Sequence, residues 1–105
     1  MAVQVVNDSE FKDKLEEKGL VAVKYYADWC GSCRLFAPKF RRLSEDSRFD
    51  NIDFIDINAE QNPEARKLAG VTNLPYFAVF KEGQLVEGAA TIKEEMVVEL
   101  LNRLN

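Results

Sequence analysis

The sequence predicts an α/β fold, a central five-stranded mixed sheet flanked by four helices in the order βαβαβαββα. Three observations carry that expectation. Apolar, β-rich runs alternate with stretches whose apolar residues recur at helical spacing, the pattern of strands joined by crossover helices. The run Leu20–Tyr26 is almost continuously apolar, as in a strand covered on both faces, and so belongs in the middle of the sheet. Towards the end, residues 76–80 and 85–89 flank Lys81-Glu82-Gly83-Gln84, which reads as an antiparallel hairpin with Gly83 in its turn.

The elements follow in order. Residues 3–6 are a short β-rich run, and Asn7, Asp8 or Ser9 can cap a helix through Phe11 and Leu15 that stops at Gly19. After the central strand, a helix over residues 31–47 carries Leu35, Phe36, Phe40 and Leu43 as an apolar stripe, with a kink expected at Pro38. A third strand covers residues 52–57. Pro63 opens a short helix through Ala65, Leu68 and Ala69 that ends at Gly70. A last helix over residues 93–104 places Met96, Val97, Leu100, Leu101 and Leu104 on a core face. At 105 residues, the chain is expected to be one domain spanning 1–105, long enough to bury a core and too short for two.

The chain's two cysteines, Cys30 and Cys33, fall where the central strand gives way to the helix. With the helix starting near Gly31, Cys30 lies at its N-terminal edge. Unpaired backbone N–H groups and the macrodipole favour a thiolate there, so Cys30 is the expected nucleophile. Cys33 lies on the same helical face, one turn inward and more shielded, within reach of a mixed disulfide formed at Cys30. The pair therefore suits reversible dithiol–disulfide chemistry. A zinc site would need further ligands, and the chain has no histidine and no third cysteine, so no metal is expected. A purely structural cross-link closing so small a loop would add little stability.

A net charge of −4 offers no basic face for nucleic acid, and no apolar run approaches membrane-spanning length. Met1-Ala2-Val3-Gln4 lacks the basic and apolar regions of a leader, so a reducing cytoplasm is the expected location.

The sequence resembles the thioredoxin family along nearly its whole length. The residues that carry the resemblance are Ala27-Asp28-Trp29-Cys30-Gly31-Ser32-Cys33, Ala37-Pro38, Asn58, Leu74-Pro75, Phe80-Lys81-Glu82-Gly83 and Gly88-Ala89. The resemblance implies a thioredoxin fold, with Cys30 attacking a target disulfide and Cys33 resolving the mixed disulfide. It further implies a cis Pro75 facing the active site and a backbone at Leu74 free to pair with an extended substrate. Trp29, Gly31, Ser32, Leu74, Pro75, Gly88 and Ala89 would form the substrate-binding surface.

Three positions depart from the family pattern. Ser32 stands where proline is usual, adding a hydroxyl and an N–H that can bond the Cys30 sulfur and make the couple less reducing. Tyr76 replaces a small threonine, and either crowds the groove or simply packs on its strand. Lys24 and Asp56 exchange the family's buried aspartate and its lysine partner. Opposite charges on neighbouring strands are expected to pair and to handle the Cys33 proton, or else each reaches solvent at the sheet's end.

The expected function is a protein disulfide reductase cycling between Cys30/Cys33 dithiol and disulfide. It needs no bound cofactor, acts as a monomer on disulfide-bearing proteins, and is recharged by a thioredoxin reductase. The alternatives are a more oxidising disulfide isomerase and a protein-binding module with incidental thiols.

Overall fold

Seven residues rich in β-branched and aromatic side chains make Leu20–Tyr26 the strand β2, whose five inner residues are all buried. The computed structural model describes residues 3–105, and Met1 and Ala2, read above for leader character, lie outside the described residues. Around β2 stand β1 (Gln4–Val5), α1 (Asp8–Glu16), α2 (Gly31–Ser44), β3 (Ile52–Asn58), α3 (Pro63–Ala69), β4 (Tyr76–Lys81), β5 (Gln84–Ala90) and α4 (Glu94–Asn102). The sheet order is β1-β3-β2-β4-β5, with β1 and β2 parallel to β3, and β4 antiparallel to both β2 and β5. This is the expected five-stranded mixed sheet with four helices among the described residues, the architecture of a thioredoxin fold.

Alternation along the strands divides the core in two. Ala22, Phe54, Phe77 and Val79 face α2 and α4, meeting Phe36, Phe40, Val97 and Leu100. Val21, Val23, Tyr25, Ile55, Ile57 and Phe80 face α1 and α3, meeting Phe11, Ala65 and Ala69. β2 is thus covered on both sides, as its composition requires.

Local chemistry sets the boundaries. Asn7 caps α1 in a capping box with Glu10, each side chain bonding the other's backbone N–H at 2.9 Å. The helix ends at Glu16, short of Gly19, and the left-handed turn residue is Lys18 (φ 58°). Glu82 and Gly83 both have positive φ, as a two-residue hairpin turn demands. α2 runs unbroken through Pro38 but stops at Ser44, and residues 47–49 form a separate 3₁₀ turn capped by Asp46.

Two apolar residues assigned to core stripes lie outside them. Leu35 is 79% exposed, because Cys33, Phe36, Phe40 and Leu43 already complete the buried face of α2 and Leu35 points about 100° away from Phe36. Met96 is also exposed, its sulfur accepting a hydrogen bond from the Thr91 hydroxyl at 3.3 Å.

Tyr76 packs on its strand. Its ring lies edge-on to Tyr25, with centroids 6.2 Å apart, and a Cβ built at Gly88 would come within 2.8 Å of its Cε1 and Oη. The glycine gives clearance to the phenol. Gly88→Ala should therefore destabilise the fold by about 1–3 kcal/mol through overpacking. Urea unfolding should also show most of that loss recovered when Tyr76→Ala is added, and equal losses in both backgrounds would disprove the coupling.

Candidate active site

β2 delivers the chain at Tyr26 into a tight turn, in which the Cys30 N–H donates to the Ala27 carbonyl at 3.1 Å. Cys30 is still extended (φ −86°, ψ 102°) and forms the N-cap of α2. A cap residue supplies an acceptor to the free N–H groups of the first turn, a task usually done by an oxygen. Here it is sulfur: the Cys33 N–H donates to Cys30 Sγ at 3.2 Å, and Ser32 Oγ lies 3.6 Å from the same sulfur.

Cys30 and Cys33 are joined as a disulfide, with Cα atoms 5.3 Å apart. In this oxidised state both are buried, Cys30 being 4% and Cys33 2% exposed, so the expected contrast in accessibility is small. The difference between them is one of position. Cys30 precedes the helix, whereas Cys33 lies inside its first turn and lines a cavity of about 240 Å³ together with Lys24, Tyr26, Asp28, Arg34 and Asp56.

Lys24 and Asp56 are direct partners in the β2–β3 ladder. Lys24 is only 3% exposed, and its Nζ lies 3.6 Å from Asp56 Oδ1, an ion pair just beyond hydrogen-bond length. The ammonium also sits 5.7 Å from the centroid of Phe40 and 6.0 Å from that of Tyr26. Asp56 Oδ1 is buried without a hydrogen-bond partner. Burial pushes the Asp56 carboxyl above the usual carboxylate range, and the Lys24 charge opposes that rise. Burial likewise raises the Tyr26 phenol, reinforced by the Asp56 and Asp28 charges.

Of the residues expected at the substrate surface, Trp29, Gly31 and Ser32 surround Cys30. Trp29 is 66% exposed, its indole N–H donating to Glu60 Oε2 at 2.6 Å. The Leu74–Pro75 peptide is cis, and Leu74 packs against the cluster of Ala27, Cys30 and Cys33. Gly88 and Ala89 lie further down the sheet, opposite Ala78 and Phe77, while Ala90 is the residue paired with Tyr76 beside Pro75. The chain leaves the sheet through Thr91 and Ile92 at the cysteine end, and Ile92 is 61% exposed. Pairing residues back from the Glu82-Gly83 turn would have pointed near there, and the bulge between Val79 and Phe80 moves the register one residue more.

Asn58 ends β3 and turns the next loop, its side chain accepting from the N–H groups of Glu60 and Gln61. That loop leads into α3, whose first-turn N–H groups at Glu64 and Ala65 are capped by Asp8 from α1. A long-range cap of this kind leaves no mark in the local sequence.

The thioredoxin family profile matches residues 2–103 of the chain. The chain is 37% identical over 87 residues to thioredoxin-1 of Schizosaccharomyces pombe, covering 83% of this chain and 82% of that protein. It is 31% identical over 104 residues to the thioredoxin of Bacillus subtilis, covering 98% of each. Among solved structures, thioredoxin f2 in its complex with ferredoxin:thioredoxin reductase superposes with a TM-score of 0.88 at 24% identity, over 97% of this chain and 94% of that one, a likeness of fold.

The Lys24–Asp56 geometry sets an expectation for stability. Removing one partner by Lys24→Ala or Asp56→Ala strands a charge and should cost about 2–4 kcal/mol, less than full burial would give because the Asp56 side chain is 21% exposed. The exchanged pair Lys24→Asp with Asp56→Lys should lose less than the sum of the two singles in urea unfolding. Because the folded carboxyl titrates above its unfolded value, the contribution of Asp56 is fully present at acid pH and declines as pH rises through the folded pKa. Asp56→Asn should flatten that limb of the stability–pH curve, and an unchanged limb would assign it to another group.

Proposed function

The chain belongs to the thioredoxin family and is a thiol–disulfide oxidoreductase that reduces disulfides through its Cys30–Cys33 pair, and within that activity we propose that Cys30 attacks and Cys33 resolves. The observation that carries the assignment is the cap of α2. A sulfur that accepts the Cys33 N–H, beside the Ser32 hydroxyl and at the positive end of a helix dipole, is stabilised as a thiolate, and only Cys30 has that place.

The Cys30 thiolate attacks one sulfur of the target disulfide, and the other leaves as a thiolate. Cys33 then gives up its proton, its sulfur attacks Cys30, and the substrate's second sulfur departs, leaving the chain oxidised. Asp56, carried on the strand beneath and facing the same cavity, is the acceptor we assign to the Cys33 proton, with water completing the path. Its raised pKa suits a group that exchanges protons with a thiol, and the Lys24 ammonium favours the thiolate formed.

An extended polypeptide fits the surface formed by Trp29, Gly31, Ser32, Leu74 and Pro75, with Ile92 supplying the apolar edge beyond β5. Gly88 contributes by making room for Tyr76, and Ala89 by packing against the α2–α4 core. The 105 residues act as a single thioredoxin domain and as a monomer, served by a thioredoxin reductase that returns the dithiol. No helix among the described residues is long and apolar enough to cross a membrane, and we assign the protein to the reducing cytoplasm, where such a cycle is sustained. The disulfide-isomerase and binding-module alternatives are not favoured by the chain's relatives.

Insulin reduction driven by a generic thioredoxin reductase should proceed with the wild-type chain and cease with Cys30→Ser. Cys33→Ser should instead accumulate mixed disulfides with client proteins, and a variant that traps none would overturn the order of attack. Ser32→Pro removes the hydroxyl near Cys30 and stiffens the turn and should make the couple more reducing in titration against glutathione, whereas an unchanged potential would show that Ser32 does not tune the sulfur.

A further inference from the structure

Lys24 and Asp56 are buried in an unfinished way. The Lys24 ammonium has three N–H donors, only one of which can point at Asp56, whose Oδ1 lies 3.6 Å from Nζ and is buried without a hydrogen-bond partner. Both border the cavity behind Cys33. Its volume of about 240 Å³ is several times the ~30 Å³ that a water occupies in the liquid, so water can complete both groups. The groups facing Asp56 there are Lys24 of β2, Tyr26 at the end of that strand, Asp28 of the following turn, and Cys33 and Arg34 of α2.

This space is partly open to bulk solvent. Lys24 and Cys33 are buried, whereas Asp28 and Arg34, which line the same cavity, are exposed and so mark its mouth. Arg34 Nη1 donates to the Asp28 carbonyl at 2.7 Å, and the backbone N–H of Arg34 donates to the Cys30 carbonyl at 3.3 Å. One residue thus ties the first turn of α2 to the loop before it from both its main chain and its side chain. The planar guanidinium can hold such a bond while its other nitrogens stay hydrated.

We propose that Arg34 is a positioning residue that latches the mouth of the cavity behind Cys33 and so controls the access of water to the Lys24–Asp56 pair. The cavity reaches Cys33 from the β2–β3 side of α2, so a substrate docked on Trp29, Leu74 and Pro75 leaves this route free. The consequence for catalysis rests on the proton-handling reading given above. With the latch closed, Asp56 is solvated only in part and its carboxyl is held above its ordinary pKa. With the latch open, hydration eases ionisation.

The test uses the full chain with Arg34→Lys, which keeps the charge but not the planar fork, and Arg34→Gln, which loses both charge and reach. Carbon-13 NMR should show the Asp56 carboxyl titrating at lower pH in both variants. With 5,5′-dithiobis(2-nitrobenzoate) as probe, Cys30 releases one thiolate on attack and Cys33 releases the second on resolution. The rate of that second release at neutral pH should change by roughly two- to tenfold in both variants, the range one hydrogen bond spans. Wild-type titration of Asp56 in Arg34→Lys alongside a shift in Arg34→Gln would overturn the latch and leave a bare charge effect. No shift in either variant would overturn it outright. A shifted Asp56 titration with an unmoved second release would uphold the latch and sink the proton-handling reading instead.

Discussion

The Cys33 amide points at the Cys30 sulfur because a helix must begin there. A strand followed in the chain by a parallel neighbour, as β2 is by β3, needs a crossover, and the crossover helix α2 starts with N–H groups that have no partner of their own. In most helices a serine or aspartate oxygen fills that role, and here a cysteine sulfur does. The bond completes the helix and, in the same contact, places partial positive charge on the atom that must become an anion. Fold and reactivity depend on one hydrogen bond. The apolar stripe of Phe36, Phe40 and Leu43 keeps the helix end fixed against the sheet, so the sulfur stays at the mouth of the β2–α2 turn.

The exchange of Lys24 and Asp56 shows how much of a buried pair's character lies in its location. Both residues project from adjacent strands onto the face below α2, and the ladder sets them side by side whichever carries the carboxylate. The ammonium on the central strand is the more enclosed of the two, and it lies against the faces of Phe40 and Tyr26, which suit a cation. The carboxylate on β3 keeps some contact with solvent. This polarity leaves the acidic partner at the wetter end of the cavity.

Much of this arrangement was legible in the sequence because it follows from periodicity. The order of elements, the central place of β2, the hairpin at Gly83 and the pairing of Lys24 with Asp56 all come from alternation and crossover rules acting over short distances. The errors arose where a partner lay far away or a regular count was broken. Leu35 and Met96 fit a helical stripe equally well on paper, and only the angular width of the facing sheet decides that they stay outside. The Val79–Phe80 bulge displaces β5 by a residue, so Ala90 pairs with Tyr76 beside Pro75, while Gly88 and Ala89, matched by motif alone, lie opposite Ala78 and Phe77. Asp8 caps α3 across 56 positions of sequence, beyond any local signal.

Trp29 is the only tryptophan of the chain, and it lies exposed beside the disulfide, with its indole held by Glu60, instead of within either core. Its emission is therefore an optical report on the active-site turn. Disulfide formation, thiolate formation and the charge on Glu60 all change the surroundings of that one fluorophore. A denaturation curve recorded at its wavelength follows the loosening of residues around the Cys30 turn, while the cooperative loss of the sheet is written in the amide circular dichroism. A gap between the two signals would mark the turn as a unit that opens before the body of the protein does.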